Sequence, residues 1–229
     1  MFIFKGIDSD SMGVYQTDNF PLPIASPRLE EITIPGRHGT LTLYDGGYQG
    51  SEITSNVVIK CDEEPLYMDE ISQWLSGIGK LELEGLDDRY FIARVSNILS
   101  VDQFLRNDVY KFPLTFKCQP FGYLNTGTRP IVFSSGNTLR NQGNFESTPL
   151  IVAHGTGEGT ITINDTVITL SNIDGYVNID SETLECYKGD TNLGQNMVGD
   201  YPILKTGVNT ITFDGGITSI SVTPRWRCL

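Results

Sequence analysis

The sequence predicts a mainly β protein: an N-terminal β domain with one α-helix, followed by a C-terminal β-sandwich. Three observations carry this. Most segments alternate apolar and polar residues with a period of two, clusters of Gly, Asn and Asp separate them, and one stretch, DEEPLYMDEISQWLSGIGK, switches to helical spacing. At 229 residues the chain can form one large β domain or two ordinary ones with sizeable cores. No disulfide or metal staple is required.

Taken in order, the predicted strands of the first half are Leu29 to Ile34, Thr40 to Leu43, Ser55 to Lys60, Lys80 to Glu84, Arg89 to Ser96 and Val109 to Cys118. In the last of these Tyr110, Phe112, Leu114, Phe116 and Cys118 fall on one face. The helix is predicted over about 65–78: Tyr67, Ile71, Trp74, Leu75 and Ile78 recur at helical spacing behind an acidic entry and Pro65, with Gly77 and Gly79 at the exit. Trp74 belongs on its apolar stripe, packed against a sheet.

After CQPFGY the composition shifts. The passage NTGTRPIVFSSGNTLRNQGNFESTP is rich in Gly, Asn and Ser and holds only the short IVF strand, which reads as a junction. The predicted division is therefore 1–125, a junction at 126–144, and 145–229. Beyond the junction PLIVAHG, GTITIN, TVITL, GYVNID, NTITFD and TSISVTP are short strands at even intervals, with hairpin turns expected at Asn164-Asp165 and Asp214-Gly215-Gly216. In the last strand alternation puts Trp226 inside and Arg225 and Arg227 outside, a mainly structural role that closes the sandwich.

Charge narrows the function. Lys plus Arg total 16 against 28 Asp plus Glu, a formal net charge of -12, so the molecule repels phosphate backbones and stable nucleic-acid binding is not expected. The start, MFIFKGIDSDSMG, has no basic segment followed by a long apolar run, and no later stretch approaches the roughly 20 apolar residues of a membrane helix. A soluble, unsecreted product without membrane insertion is expected. Cys61, Cys118, Cys186 and Cys228 are dispersed, without C-x-x-C spacing, and read as buried free thiols. The sequon Asn164-Asp165-Thr166 reads as a hairpin turn.

Chemical motifs are weak throughout. Nucleophilic catalysis needs a base, and His38 and His154 both lie outside any recognisable motif. HGTGEGT resembles a phosphate loop, but such loops feed a helix N-terminus and here a strand follows. The histidines and cysteines lack metal-ligand spacing and DSDSMG lacks the twelve-residue EF-hand pattern; a calcium site of other Asp and Glu oxygens is the alternative left open, and no metal and no cofactor are the expectation. Among 28 acids a glycosidase pair is easy to imagine and nothing singles one out. Tyr176, Tyr187, Tyr201 and Trp226 are the candidate aromatics for carbohydrate binding, with core or interface roles as the plainer reading.

The stretch EEITIPGRHGTLTLYDGGYQG is the most informative. Pro35 cannot donate to a central ladder, Gly36 and Gly39 permit positive φ, and Asp45-Gly46-Gly47 reads as a strong hairpin turn. Arg37 and His38 then sit at a loop tip, where a charged residue can contact a partner subunit or merely solvate the turn.

At this point a family resemblance emerges. FIFKGIDS, EEITIPGRHGTL and YDGGY in the first half, then GNFESTPLIVAHGTGEGTITIND, GYVNIDSETLECY, YPILKTGVNTITF and VTPRWRCL, follow in order along nearly the whole chain. Together they resemble the distal tail proteins (Dit) of siphophages and related prophages of Gram-positive bacteria. The resemblance implies a two-domain hub: a belt-type N-terminal domain assembling into a homohexameric ring, and a galectin-like C-terminal sandwich outside it. It implies a place at the distal tail tip of the virion, after synthesis in the bacterial host cytoplasm. The implied partners are the tail tube protein and a tail-tip or lysin-type protein, with DNA passing through the lumen and no enzymatic activity. A receptor-binding protein or host cell-wall polysaccharide is the further partner left open, and carbohydrate recognition by the sandwich is the alternative function. No insertion long enough to form a receptor-binding arm is present. The ring or tube contacts are expected at Pro35, Gly36, Arg37, His38 and Gly39, and at Asp45, Gly46, Gly47 and Tyr48, because a head-to-tail ring reuses the same loops in every copy.

Overall fold

A computed structural model describes residues 1–60, 66–96, 102–103, 109–134 and 136–229. The chain divides into two compact units, residues 1–122 with Leu229, and residues 123–228. Both are built mainly of strands, and α1 is the single α-helix among the described residues.

The first unit contains β1 (Phe2–Phe4), β2 (Ile7–Asp8), β3 (Val14–Gln16), β4 (Ser26–Thr33), β5 (Thr40–Gln49), β6 (Glu52–Lys60), α1 (Leu66–Leu75), β7 (Ile78–Leu83), β8 (Arg89–Val95), β9 (Asp102–Gln103) and β10 (Val109–Leu124). Its main sheet has the order β2-β1-β7-β8-β10-β6-β3, with β9 also paired to β10. Period-two alternation sends Phe2, Phe4, Ile53, Val57, Leu81, Phe91, Phe112, Leu114 and Phe116 to one face, where they form a single core with Ile71, Trp74 and Leu75 of α1. Trp74 stacks on Phe2 at 5.8 Å, and its indole N–H donates to the Phe4 carbonyl at 2.8 Å. The helix ends at Leu75, earlier than its sequence pattern predicts, because Gly77 takes φ +73 and Ile78 opens β7. Ile78 is accordingly 67% exposed instead of lying on the helix's packed stripe. Cys61 and Pro65 lie outside the described residues.

The second unit adds β11 (Ile131–Phe133), β12 (Asn137–Arg140), β13 (Leu150–Ile163), β14 (Thr166–Asp180), β15 (Glu185–Lys188), β16 (Thr191–Asn192), β17 (Met197–Val198), β18 (Val208–Thr223) and β19 (Arg227–Cys228). Here the sequence pattern misleads. The six short strands expected after the junction are the halves of three long ones: PLIVAHG and GTITIN form β13, TVITL and GYVNID form β14, NTITFD and TSISVTP form β18. Asp214-Gly215-Gly216, expected as a hairpin turn, is an interior stretch of β18. β13 pairs with β14 on one side and β18 on the other, and both registers shift within Gly155 to Gly159. Outside that belt the two halves take different neighbours. β18 pairs with β11 through Ile220–Val222 and with β12 through Val208–Ile211, while β14 pairs with β15 through Asn178–Asp180 and with β17 through Thr169–Leu170.

The sheet is thus folded over at its glycines, and the inward residues of both halves, among them Ile151, Ala153, Ile161, Ile168, Val177, Ile211, Ile220 and Val222, meet in one core with Trp226. The glycines are there for close approach. A Cβ on Gly216 would lie 1.8 Å from the Thr156 carbonyl oxygen, and one on Gly155 2.1 Å from that of Gly216. The true hairpin turn is Asn164-Asp165, where Asn164 takes φ +54 and its amide donates to Asn209 Oδ1 at 2.8 Å.

The passage read as a junction, 126–144, falls inside the second unit. β11 and β12 hydrogen-bond to β18, and their alternation sends Phe133 and Leu139 into the core. Most of the polar residues around them face solvent, Asn141 being buried, and that composition is what resembles a linker.

Candidate functional site

The feature of the first unit that its core does not account for is the ribbon formed by β4 and β5. These strands pair only with each other, as a two-stranded sheet apart from the main one. Every residue of β4 is exposed, and all of β5 except Gly47 and Tyr48. An isolated hairpin is marginally stable at best in water, so such a ribbon needs a surface to lie on.

Its register shows which face wants covering. Directly paired residues share a face, and the pairs Glu30↔Leu43 and Ile32↔Leu41 put Ile32, Leu41 and Leu43 on one side, with Ile34 continuing the alternation. The opposite face carries Leu29↔Tyr44 next to the bulge and then only the polar and charged pairs Glu31↔Thr42 and Thr33↔Thr40 towards the tip. Ile32, Ile34, Leu41 and Leu43 are 37 to 45% exposed, an aliphatic strip with no core beneath it among the described residues.

Both groups of loop residues singled out in the sequence lie on this ribbon, at different places. Pro35, Gly36, Arg37, His38 and Gly39 form the tip, where Gly36 and Gly39 take φ +80 and +82 and the Arg37 N–H donates to the Ile34 carbonyl at 3.1 Å. Asp45, Gly46 and Gly47 do not make a turn. They bulge out within β5, opposite the single residue Arg28, between the pairs Pro27↔Tyr48 and Leu29↔Tyr44.

Arg28 explains the bulge. Its Nε donates to Asp45 Oδ2 at 2.6 Å, while Asp45 Oδ1 accepts the Gly47 N–H at 2.8 Å. Together the Gly47 N–H and the guanidinium hold the Asp45 carboxyl below the usual carboxylate range. Gly47 leaves room for this arrangement, since a Cβ there would meet Arg28 Nη2 at 2.5 Å. Tyr48 follows and links the ribbon to the sheet: its ring lies 6.2 Å from Tyr44 and 6.3 Å from Phe121 of β10. At the next step Gly50 passes over β10 so closely that a Cβ would fall 1.8 Å from the Cys118 carbonyl oxygen.

In the second unit the end of the chain is not a plain outward-inward alternation. Trp226 is fully buried, but Arg225, at φ +51, turns its guanidinium onto Asp180 in a two-pronged pair of 2.6 and 2.8 Å. Arg227 is half-buried beside Glu182 at 3.7 Å and donates to Thr148 Oγ1. Burial pushes the Asp180 carboxyl up, but the Arg225 hydrogen bonds and the Glu182 N–H outweigh it and hold the group below its ordinary range. This is a clasp between the last residues of the chain and the end of β14.

Little else in the described residues has the makings of a chemical site. His154 stands at the outer end of a β13 half, against Tyr176 at 6.3 Å. Tyr176 also lies under Lys188 Nζ at 5.4 Å, so its ring is not a bare platform for a sugar, and Tyr201 packs against the core. HGTGEGT is the fold-over of β13. Among the described residues no group of three or more His, Cys, Asp or Glu side chains is placed to hold a metal ion, and no helix is long and apolar enough to cross a membrane. Cys118, Cys186 and Cys228 are buried and free.

Neither a protein-family model nor a curated relative matches the sequence. Solved structures do. The crystal structure of the SPP1 Dit protein, described as a paradigm of the hub adsorption apparatus of phages infecting Gram-positive bacteria, superposes with a TM-score of 0.69 at 12% identity, covering 100% of this chain and 98% of that one. The fold is that of a Dit protein. Chains in two structures of the phage p2 baseplate in its activated conformation, with Sr and with Ca, match at a TM-score of 0.52 and 11% identity, over 94 and 96% of this chain.

Within this Dit fold, sequence reasoning found the loop tip, took the Asp45-Gly46-Gly47 bulge for a hairpin turn, and missed the aliphatic strip between them. Its signal is present: Ile32 and Ile34 on one arm and Leu41 and Leu43 on the other alternate in phase. Alternation of that kind reads as a half-buried strand, and only the third dimension shows that none of the described residues covers it.

Proposed function

We propose that this chain is the structural hub of a phage tail tip: a closed ring of six copies that joins the distal end of the tail tube to the baseplate or tail-tip proteins and leaves a channel for DNA. The observation that carries the reading is the ribbon of β4 and β5. A hairpin with an uncovered aliphatic face is a donor element for heterologous contact, and repetition of one such contact around a rotation axis closes a ring. The likeness to SPP1 Dit over the full length of both chains supports the same reading. In this role the protein works through surfaces, with no catalysis and no cofactor. Its partners are other copies of itself, the tail tube protein, and a tail-tip or lysin-type protein, and its place is the distal tip of the virion tail. The net charge of -12 suits a passage that must not retain DNA.

Native mass spectrometry over a concentration series, with negative-stain images of the dominant species, tests this. The expected result is a six-membered ring with an open centre, alone or as two rings back to back. Ile32→Asp and Leu41→Asp, which put a charge into the aliphatic strip without touching a core, should leave the circular dichroism spectrum unchanged and reduce the ring to monomers. A wild-type protein that stays monomeric at every concentration refutes the self-assembling ring.

A further inference from the structure

The ring reading says what the ribbon donates and leaves open what receives it. We propose that the acceptor is the outer face of β7, β8 and β10 on the next copy, where Arg94 and Lys117 meet Glu30 of the incoming ribbon and Ile78 and Ile92 meet its aliphatic strip. This rests on the ring reading above and adds the second half of the contact.

Four observations converge on that face. First, its parity is outward: Phe91 and Ala93 point into the core, so Ile92 and Arg94 point away from it, as do Lys117 and Gln119 on either side of buried Cys118. Second, it is cationic on balance in a molecule of net charge -12: Lys80, Arg94, Lys111 and Lys117 are exposed on neighbouring strands, with Glu82 as the acid of β7 on the same face. Lys117 has only the exposed carboxylate of Glu52, at 3.8 Å, and the Arg94 side chain has no hydrogen bond or ion pair among the described residues. Third, the face is not purely polar. Ile78 is 67% exposed, and with Ile92, Arg94, Lys117, Gln119 and Gly50 it lines a surface cavity of about 150 Å³, room for an aliphatic side chain. Fourth, the ribbon offers the complement. Glu30 lies on the same face as Leu43, beside Ile32 and Leu41, and has no cation of its own among the described residues, since Arg28 is held by Asp45.

The two surfaces therefore match in both terms that set specificity. Aliphatic side chains meet an aliphatic-floored cavity, and an unpaired carboxylate meets an unpaired guanidinium. Both surfaces belong to the first unit, and they are distinct patches, as a head-to-tail contact requires. Reach is adequate: the arm from Ser26 to Ile34 extends roughly 3.3 Å per residue, so the strip projects well beyond the bulge at its base.

The test is a charge exchange on the full-length chain, read by native mass spectrometry. Arg94→Glu alone sets two carboxylates against each other, as Glu30→Arg sets two cations, and each should raise the concentration for half-assembly by roughly tenfold or more. The double variant Arg94→Glu with Glu30→Arg should recover most of the assembly, which a merely destabilising substitution would not do. As a second measurement, protein carrying Leu43→Cys mixed with protein carrying Ile92→Cys should give a disulfide-linked heterodimer on mild oxidation. Cys118 would not compete, since burial pushes its thiol up to about 12. If Ile32→Asp abolishes the ring while Arg94→Glu assembles like wild type and no cross-link forms, the acceptor assignment is wrong and the ring reading stands. If the wild type does not assemble, both fall together.

Discussion

Gly216→Ala tests the most consequential feature of the second unit, the folding-over of three long strands at their glycines. A Cβ at this position would stand 1.8 Å from the Thr156 carbonyl oxygen, whereas ordinary contact begins near 3.4 Å, 1.6 Å further out. Both groups are backbone, so the clash cannot be relieved by a rotamer change. β18 must move away from β13 between the pairs Gly155↔Ile217 and Gly159↔Gly215. Loss of about two ladder hydrogen bonds at about 1 kcal/mol each, with an overpacking cost of about 1 to 3 kcal/mol, gives a destabilisation of about 3 to 5 kcal/mol. For a unit of this size that lowers Tm by roughly 20 °C. The assay has a built-in reporter, because the two tryptophans are divided between the units, Trp74 in the first and Trp226 in the second. In a Trp74→Phe background, indole fluorescence during thermal unfolding follows the second unit alone. Gly175→Ala is the control: Gly175 has φ +80 but open space around the new methyl, so only left-handed strain of about 1 to 2 kcal/mol applies. If Gly216→Ala proved as mild as Gly175→Ala, β18 would have to turn at Asp214-Gly215-Gly216, as the sequence pattern alone implies, and the folded-over sheet would be wrong.

Two further predictions concern the packing of each unit. Trp74→Ala should destabilise the first unit by about 3 to 5 kcal/mol in urea unfolding, because it removes a ring stacked on Phe2 and the hydrogen bond to the Phe4 carbonyl; a near-neutral result would take α1 off the sheet. Arg225→Ala strands the Asp180 carboxylate, side chain 8% exposed, at a cost of about 3 kcal/mol. Since the folded-state Asp180 carboxyl is held below its unfolded value, the stabilisation is complete above about pH 4 and is lost as pH falls through the folded value; a Tm difference between wild type and variant that persisted unchanged at lower pH would refute the clasp.

How much of this was legible in advance varies from element to element. The sequence by itself determined the strand-rich class, the single helix with Trp74 on its packed face, the Asn164-Asp165 turn and the loop tip at Pro35 to Gly39. Each rests on a local rule: a two-residue period, a 3.6-residue period, or a residue able to adopt positive φ. Those rules need no information about distant residues. Only the tertiary structure decided what the other glycines do. Gly155, Gly159, Gly215 and Gly216 have the composition of turns, yet they let two backbones pass at a bend, because the space a Cβ would need is occupied by a strand far away in the chain. Asp45-Gly46-Gly47 became a bulge instead of a turn because Arg28, on the opposite arm, holds the Asp45 carboxylate. Likewise, nothing local separates Ile32, Ile34, Leu41 and Leu43 from Phe112 and Phe116: both sets alternate, and one set is core while the other is exposed. Periodicity says which side chains share a face. Whether that face is covered depends on what else the chain can bring to it, and for this ribbon the described residues bring nothing.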